Sequence, residues 1–223
     1  QITQGSSTAT YTYDNANRRT QMTLPNGVTV DYSYDAASRL TGLTYKKGAV
    51  TLGDLTYTYD NAGRRTVSGG SFARTGIPSA ITTATYDAAN QQLVLGNKSA
   101  TFDANGNLAT LTDPSGTTTY TWNSRNQLAS LSGPGVTASF QYDALGRRKS
   151  KMVNGVTTDF LYDGSSAVQE LSGGSVQANL LLGLGIDEVL QRTDPAGARS
   201  FLADGLGSTL ALTDSAGTVQ TEY

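Results

Sequence analysis

A short motif that recurs along the chain constrains the fold more than any other feature of the sequence. An aromatic residue followed by Asp or Asn occurs at intervals of 16 to 27 residues, and the last four copies lie 20 residues apart. A repeat of this length predicts one small supersecondary unit per copy. The eight pairs are Tyr13-Asp14, Tyr34-Asp35, Tyr59-Asp60, Tyr86-Asp87, Phe102-Asp103, Trp122-Asn123, Tyr142-Asp143 and Tyr162-Asp163.

The residues that follow each pair indicate a tight turn between two strands. The fourth position after the aromatic residue is Gly, Asn or Ser, as at Gly63, Gly106 and Gly146, and the fifth is often Arg, as at Arg64 and Arg147. An Asp at the end of a strand can accept hydrogen bonds from amides two or more residues further on. Gly and Asn tolerate the left-handed backbone conformation that such a turn needs. The motif therefore predicts a turn after every aromatic residue.

A second kind of turn lies between successive copies. Asn154-Gly155 is the strongest hairpin dipeptide, and Asp113 to Gly116 and Asp194 to Gly197 suit a turn closed by a glycine bulge. Ser215 to Gly217 is assigned to the same class. The stretch from Asp204 to Gly207 has closely spaced glycines, but without a strand–loop–helix context it indicates another turn and no phosphate loop.

The segments between the turns alternate in polarity, as half-buried strands do. Val28, Val30, Tyr32 and Tyr34 share one predicted face, and Thr, Ser, Gln and charged residues occupy the other. Residues 186–191 could form a helical turn or a strand, and the turn that follows favours a strand. The sequence thus predicts an all-β fold, a continuous antiparallel ribbon of roughly 18 to 20 short strands.

This repeat resembles that of the YD-repeat or Rhs family, which includes bacterial Rhs polymorphic toxins, C components of toxin complexes, and teneurins. Tyr59 to Arg65 (YDNAGRR) and Tyr142 to Arg148 (YDALGRR) carry the likeness. Gly183 to Glu188 (GLGIDE) with Asp204 to Thr209 (DGLGST) is similar to the stretch before the Rhs core, and it favours the bacterial branch. The likeness covers residues 1–223, which we expect to be a single repeat region and a fragment of a longer protein, with 180–223 approaching the core.

The resemblance implies a role for the chain. In this family the ribbon curves or spirals into a hollow shell around a C-terminal toxin, so the expected partners are the remaining repeats and that toxin. It also implies secretion or display at the bacterial cell surface as part of a larger protein. The self-cleaving segment of the family lies beyond Tyr223, so no protease role is assigned to the Asp-Pro bonds.

Composition limits the other functions. The chain has no His and no Cys, which excludes Ser-His-Asp and thiol catalysis and removes the commonest metal ligands. The formal net charge of −2 gives no basic excess for nucleic acid, and no apolar run approaches a bilayer span. We expect no cofactor.

Several residues allow a functional interpretation beside a structural one. The tyrosines could stack on glycans, which leaves a carbohydrate- or protein-binding ribbon as the alternative, but packing across strands suits their fixed position better. Each turn offers a single Asp, so turn capping is favoured over calcium. Asp187-Glu188 would point to opposite faces of a strand, which argues against paired acid–base work. The Arg pairs at turn exits favour local ion pairs over an anion site.

Overall fold

The computed structural model describes residues 1–74, 76, 79–185 and 188–223, and the regular elements in these ranges are all strands. None of the described residues forms a helix that could cross a membrane. The first seven strands are β1 (Ile2–Gln4), β2 (Ser7–Tyr13), β3 (Arg19–Thr23), β4 (Val28–Tyr34), β5 (Leu40–Lys47), β6 (Val50–Tyr59) and β7 (Arg65–Gly69).

Fifteen further strands follow, again in chain order. They are β8 (Ala84–Tyr86), β9 (Gln92–Leu95), β10 (Lys98–Phe102), β11 (Leu108–Asp113), β12 (Gly116–Trp122), β13 (Leu128–Gly133), β14 (Val136–Tyr142), β15 (Arg148–Val153), β16 (Val156–Asp163), β17 (Ser166–Ser172), β18 (Ser175–Leu182), β19 (Val189–Asp194), β20 (Gly197–Ala203), β21 (Thr209–Thr213) and β22 (Val219–Glu222).

The topology is the simplest that a hairpin repeat allows. Each strand pairs with its neighbours in sequence, so that β1 to β7 form one sheet and β8 to β22 form another. Every strand pair whose register is known is antiparallel, for example β4 with β5 and β12 with β13. This confirms the predicted all-β, antiparallel hairpin fold. The strand expected over 186–191 begins at Val189, and residues 186 and 187 lie outside the described residues.

The ribbon is interrupted once, between Gly69 and Ala84, and therefore forms two sheets. Gly70 has a φ of 103°, a left-handed conformation that turns the chain out of β7. The amide of Phe72 then donates to the carbonyl of Asp54 at 3.1 Å, and its ring lies over Gly53, where a Cβ would come within 2.5 Å of it. The same ring contacts Tyr45, with centroids 5.4 Å apart. Phe72 thus fills the core beside β6, beyond the point where β7 ends.

The chain divides into two compact units, and the first is built from both ends of the sequence. It comprises residues 1–76, 166–169 and 177–223. The Tyr45 hydroxyl donates to the carbonyl of Ala203 at 2.7 Å, and the Asn26 amide donates to Thr213 Oγ1 at 2.9 Å. These bonds surround a core of buried hydrophobic residues: Ala9, Met22, Leu24, Val28, Val30, Leu43, Tyr45, Leu55, Tyr57, Phe72, Leu181, Leu190, Leu202 and Ala211.

The second unit, residues 77–165 and 170–176, shows the predicted alternation of faces. Along β12 the half-buried residues Thr118, Tyr120 and Trp122 alternate with exposed threonines. The threonine face is joined by hydroxyl hydrogen bonds between strands, at 2.8 Å from Thr112 to Thr117 and at 2.6 Å from Thr121 to Ser130. These cross-strand pairs account for the abundance of threonine, because each stabilises two adjacent strands.

Two tyrosines in the first unit differ in how their hydroxyl groups are satisfied, which gives a matched test. The Tyr11 oxygen is buried without a hydrogen-bond partner among the described residues, whereas Tyr45 is fully buried and bonded to Ala203. We expect Tyr11→Phe to raise the free energy of unfolding by about 1 kcal/mol, because it removes an unsatisfied buried group. Tyr45→Phe should lower it by about 1 kcal/mol, because it removes a buried hydrogen bond to the Ala203 carbonyl. Urea denaturation followed by tyrosine fluorescence measures both, and a loss of stability in Tyr11→Phe would contradict the first expectation.

Candidate functional site

The functional feature of this chain is a turn that is built in the same way at many places, and its first copy shows the design. The Asp14 amide donates to the carbonyl of Arg18 at 2.9 Å, and the Asn17 amide donates to the carbonyl of Asp14 at 3.0 Å. One carboxylate oxygen of Asp14 accepts from the amides of Ala16 and Arg18, both at 2.9 Å, and the other accepts from Arg18 Nε at 2.7 Å. A single side chain therefore caps three donors in a five-residue loop.

The same backbone pattern recurs in both units. The capping residue donates its amide to a carbonyl four residues ahead and accepts at its own carbonyl three residues ahead. The residue in the third place after the cap has a positive φ throughout, which is the conformation that the motif predicts for Gly and Asn. The caps are Asp14, Asp35, Asp60, Asp87, Asp103, Asn123, Asp143, Asp204 and Asp214, and the positive-φ residues are Asn17, Ser38, Gly63, Asn90, Gly106, Asn126, Gly146, Gly207 and Gly217.

Two turns differ from the prediction. At Tyr162-Asp163 no capped loop forms, because β16 runs through Asp163 and a two-residue loop with Gly164 at a φ of 58° leads directly into β17. The loop at residues 215–217, which we assigned to the second kind of turn, is instead capped by Asp214. The aromatic residue that marks the motif is replaced there by Thr213, so the sequence pattern did not include this copy.

A β-bulge lies at the base of the hairpins that carry the motif. At the first copy, Tyr13 pairs with Arg19 while Thr12 pairs with Gln21, so that Thr20 is an extra residue on the returning strand. The register shifts at the same place in the other hairpins that carry the motif, as between Ser33 and Tyr34. Because a bulge increases the local twist, each copy adds curvature to the sheet.

The residue at the fifth position after the aromatic residue, here called the fifth residue of the motif, links one turn to the next. The Arg39 guanidinium pairs with its own cap, Asp35, at 2.6 Å and donates to the carbonyl of Asp60 in the following turn at 3.0 Å. It also lies over the Tyr59 ring, 4.9 Å from the centroid. Arg18 and Arg147 make equivalent contacts to the next copy. The expected local ion pairs of these arginines are therefore present, and they also form a ladder along the turn edge.

The aromatic residue supplies a second link, which the sequence analysis did not foresee. The Tyr59 hydroxyl donates to the carbonyl of Leu40 at 2.6 Å, which is the sixth residue after the preceding aromatic residue. The Trp122 indole donates to Leu108 in the same way at 2.8 Å, and Tyr142 donates to Leu128 at 3.0 Å. Tyr34 and Tyr162 repeat this bond. Tyr and Trp suit this position because each has a large ring with a hydrogen-bond donor that reaches the carbonyl of the preceding hairpin.

Hydrogen bonds lower the pKa of several capping carboxyl groups. The Arg39 amide, and then its guanidinium, hold the pKa of the Asp35 carboxyl below its ordinary value, and Arg64 does the same for Asp60. The Asn107 side chain and amide lower the pKa of Asp103 without any charge. Elsewhere in the first unit, burial raises the pKa of Tyr11 to about 12. Asp35, Asp60 and Asp103 therefore carry a negative charge at neutral pH.

Glu188 has a defined place in the loop before β19. Its Oε2 accepts from the Gly185 amide at 2.9 Å, and its side chain lies against Gly183, where a Cβ would clash with it. Its Oε1 lies 3.5 Å from Arg19 Nη1 at the wall of an 830 Å³ pocket in the first unit. Gly183 and Gly185 therefore leave space for the Glu188 carboxylate. In the sequence alone, this stretch was noticed only for its resemblance to the family. Asp187 lies outside the described residues.

The described part of the chain contains no group of three or more acidic, His or Cys side chains that could hold a metal ion. The caps are separated from one another by whole hairpins, and each uses its oxygens for amides of its own loop. This arrangement stabilises the backbone and offers no converging set of ligands.

The positive φ at the turn can be tested with two substitutions of one glycine. Gly63 has a φ of 79° and open space around the position of a Cβ, so a side chain there meets strain but no clash. We expect Gly63→Ala to lower the free energy of unfolding by about 1 kcal/mol and Gly63→Asn to cost clearly less, because Asn tolerates this conformation. Asn already occupies this place at Asn17, Asn90 and Asn126. If chemical denaturation shows that Gly63→Ala and Gly63→Asn lower the free energy of unfolding equally, this explanation is contradicted.

The lowered pKa values of the caps predict how stability depends on pH. A carboxyl whose pKa is lower in the folded chain than the unfolded value of about 3.9 stabilises the fold at higher pH, and this contribution is lost as the pH falls through that range. Because the chain has no His, we expect a constant melting temperature from pH 6 to 8 and a steep fall below about pH 4.

The double variant Asp35→Asn with Asp60→Asn is the matched control for this titration. Asn keeps the amide-accepting oxygen, as Asn123 shows at 2.9 and 3.0 Å, but it cannot be protonated in this range. Its melting temperature should depend less steeply on acid pH. If the melting temperature of the double variant falls as steeply below pH 4 as that of the unmodified chain, protonation of these two caps does not cause the fall.

Comparisons with known proteins agree with this geometry. The Teneurin YD-shell family profile matches residues 28–221, and the RHS Repeat profile matches residues 1–29. No curated protein matches the chain by sequence. Among solved structures, the TcdB2-TccC3-Cdc42 crystal structure is similar with a TM-score of 0.59 and 17% identity, over 96% of this chain and 15% of that chain. A Photorhabdus luminescens Tc holotoxin pore with a TccC3 variant gives a TM-score of 0.57, again with 17% identity and 96% and 15% coverage.

The chain therefore spans about 15% of the length of these solved chains, and at this identity the likeness shows the fold alone. The family assignment rests on the profile, which covers most of the sequence, and it confirms the resemblance drawn from the repeat. The chain belongs to the Teneurin YD-shell family.

Proposed function

We propose that this chain is a segment of the wall of a hollow shell that encloses a C-terminal toxin or effector, and that residues 1–223 act as one repeat region in it. The observation that carries the proposal is the ladder of capped turns. Each capped copy closes its own hairpin, and most neighbouring copies within a sheet are linked to one another, so the same contacts can extend a curved sheet over many repeats.

The motif residues have a collective role in this proposal. We infer that the aromatic, the cap, the positive-φ residue and the arginine of each copy are structural residues of the wall. No single copy would carry the function, because the same four contacts are distributed over several hairpins.

The proteins present in the similar structures support this role. They are complexes of TcdB2 with TccC3 that also contain Cdc42 or TEV, or that lack a hypervariable C-terminal region. By analogy we propose that the partners of this chain are the remaining repeats of its shell and an enclosed toxin. An exported bacterial protein, secreted or presented at the cell surface, is the localisation that suits such a role.

A carbohydrate- or protein-binding ribbon is the alternative. It requires aromatic rings whose faces are open to a ligand, but Arg18, Arg39 and Arg147 cover one face of Tyr34, Tyr59 and Tyr162, respectively. We also propose that the chain has no catalytic role, because the Asp residues of the motif serve as caps and His and Cys do not occur in the sequence.

The proposal is tested on the full-length protein with the effector in place. If the wall encloses the effector, a nonspecific protease should leave the effector segment intact under conditions that degrade the same segment expressed alone. Denaturing the shell first should remove this protection. If the effector segment of the intact protein is digested as fast as the isolated segment, the chain is no shell wall.

A matched pair of variants links protection to the turn ladder. Combining Arg39→Ala with Arg147→Ala removes two links between turns, and we expect faster digestion of the effector. Arg64→Ala is the control, because Arg64 pairs with its own cap but its side chain is 82% exposed. An equal effect of both changes would contradict a specific role for the ladder.

A further inference from the structure

The hairpins of this chain are joined by three kinds of contact, and their strengths can be compared junction by junction. One is the backbone ladder between the strands, the second is the bond from the aromatic residue to a carbonyl of the preceding hairpin, and the third is the bond from the fifth motif residue to the next turn. At β5–β6 all three are strong, with six paired residues, the Tyr59 bond and the Arg39 bond.

The junctions within the second unit mostly follow this pattern. Strands β13 and β14 share four paired residues, with the Tyr142 hydroxyl bonded to Leu128 and the Gln127 amide to Gly146. Strands β15 and β16 also share four, with bonds from Tyr162 and Arg147. Strands β11 and β12 share four, with bonds from the Trp122 indole and from Asn107 to Asn126.

The β9–β10 junction has a shorter backbone ladder and lacks both side-chain bonds in the described part of the chain. Only two residue pairs join the strands, Lys98 with Leu95 and Ser99 with Val94. The aromatic residue at the end of β10 is Phe102, which has no hydroxyl to donate to the carbonyl of Gln92. The fifth residue of the preceding turn is Gln91, and within the described residues its side chain makes no hydrogen bond to the turn at Asp103, although its Nε2 lies near Gly106.

The hairpin beyond this junction has little to hold it in place by itself. Strands β8 and β9 are short, with three paired residues, and β8 is the last strand of its sheet. All three residues of β8 are exposed, including Tyr86, whose hydroxyl accepts from the Gln92 side chain of the same hairpin. A two-stranded hairpin without further support is only marginally stable in water.

We propose that the β8–β9 hairpin, residues 84–95, is a flap that detaches from the sheet at the β9–β10 junction while the hairpins from β10 to β16 stay closed. If the chain is a shell wall as proposed above, the flap is an opening built into that wall. The inference concerns local stability, so it can fail while the shell role stands, and the shell role can fail while the flap exists.

Hydrogen exchange followed by mass spectrometry tests the flap directly. We expect amides of residues 92–95 to exchange through a local opening, at rates that do not change when the whole protein is stabilised, while those of 128–133 exchange only with global unfolding. Equal protection of these two strands would overturn the proposal.

A double variant installs the missing contacts at the weak junction. Phe102→Tyr supplies a hydroxyl for the carbonyl of Gln92, and Gln91→Arg supplies a guanidinium for the turn at Asp103. Together they should slow exchange at 92–95 by roughly tenfold or more, the size expected of one or two net hydrogen bonds. The control is Gln127→Arg, which changes the equivalent position of another junction and should leave exchange at 92–95 unaltered.

A disulfide provides a second measurement that does not depend on side-chain geometry at the turn. The chain has no cysteine, so Val94→Cys with Ser99→Cys creates a single possible bridge between directly paired residues, at a spacing that suits a disulfide. Oxidation should suppress exchange at 92–95 and reduction should restore it in the same sample. If exchange at 92–95 is the same in the oxidised and reduced forms, and also unchanged in the double variant, the junction is not where the sheet opens.

Discussion

The structure depends on one local interaction, in which a carboxylate at the end of a strand accepts the amides of the loop that follows. A reversing chain leaves backbone donors without partners, and here one side chain satisfies two of them within five residues. The loop can then be short and have a fixed shape, so the returning strand always starts in the same register. The bulge and the curvature of the sheet follow from that register.

The same motif acts at a second length scale. The cap and the positive-φ residue act within a hairpin, whereas the aromatic and the fifth residue act between hairpins. An arginine such as Arg39 combines the two, because it pairs with its own cap and donates to the next turn. Where Gln or Asn takes the place of arginine the hairpin is kept, and its link to the next turn is present at Gln127 and Asn107 but absent, among the residues that the structure describes, at Gln91. The residue at this one position therefore changes the contacts between neighbouring hairpins without changing the turn itself.

The sequence predicted the parts of the fold that arise from nearby residues. The turns at Asp14, Asp35 and Asp60 could be predicted because Asp bonds to amides of its own loop and Gly or Asn adopts the positive φ there. The alternating faces could be predicted because side chains of a strand alternate with a period of two. The break after Gly69 was not readable, because it depends on Phe72 packing over Gly53, a contact that only the folded sheet creates. The hydroxyl bonds of the tyrosines were also missed, since their acceptors are carbonyls of another hairpin. The turn at Asp214 was missed for a different reason, namely that the pattern required an aromatic residue.

The way in which the first unit is assembled has a consequence for folding order. Its core joins residues far apart in the sequence, such as Tyr45 with Ala203 and Asn26 with Asp214. The hairpins of the second unit instead need only neighbouring residues. Contacts at long sequence separation form slowly, because loop closure must precede the gain in packing. As the chain emerges from a ribosome, the middle repeats can therefore fold before the early repeats have their packing partners. Until residues near 180 emerge, the apolar face of β4 and β5 remains open, and a chaperone or early contact with other repeats would protect the chain in that interval.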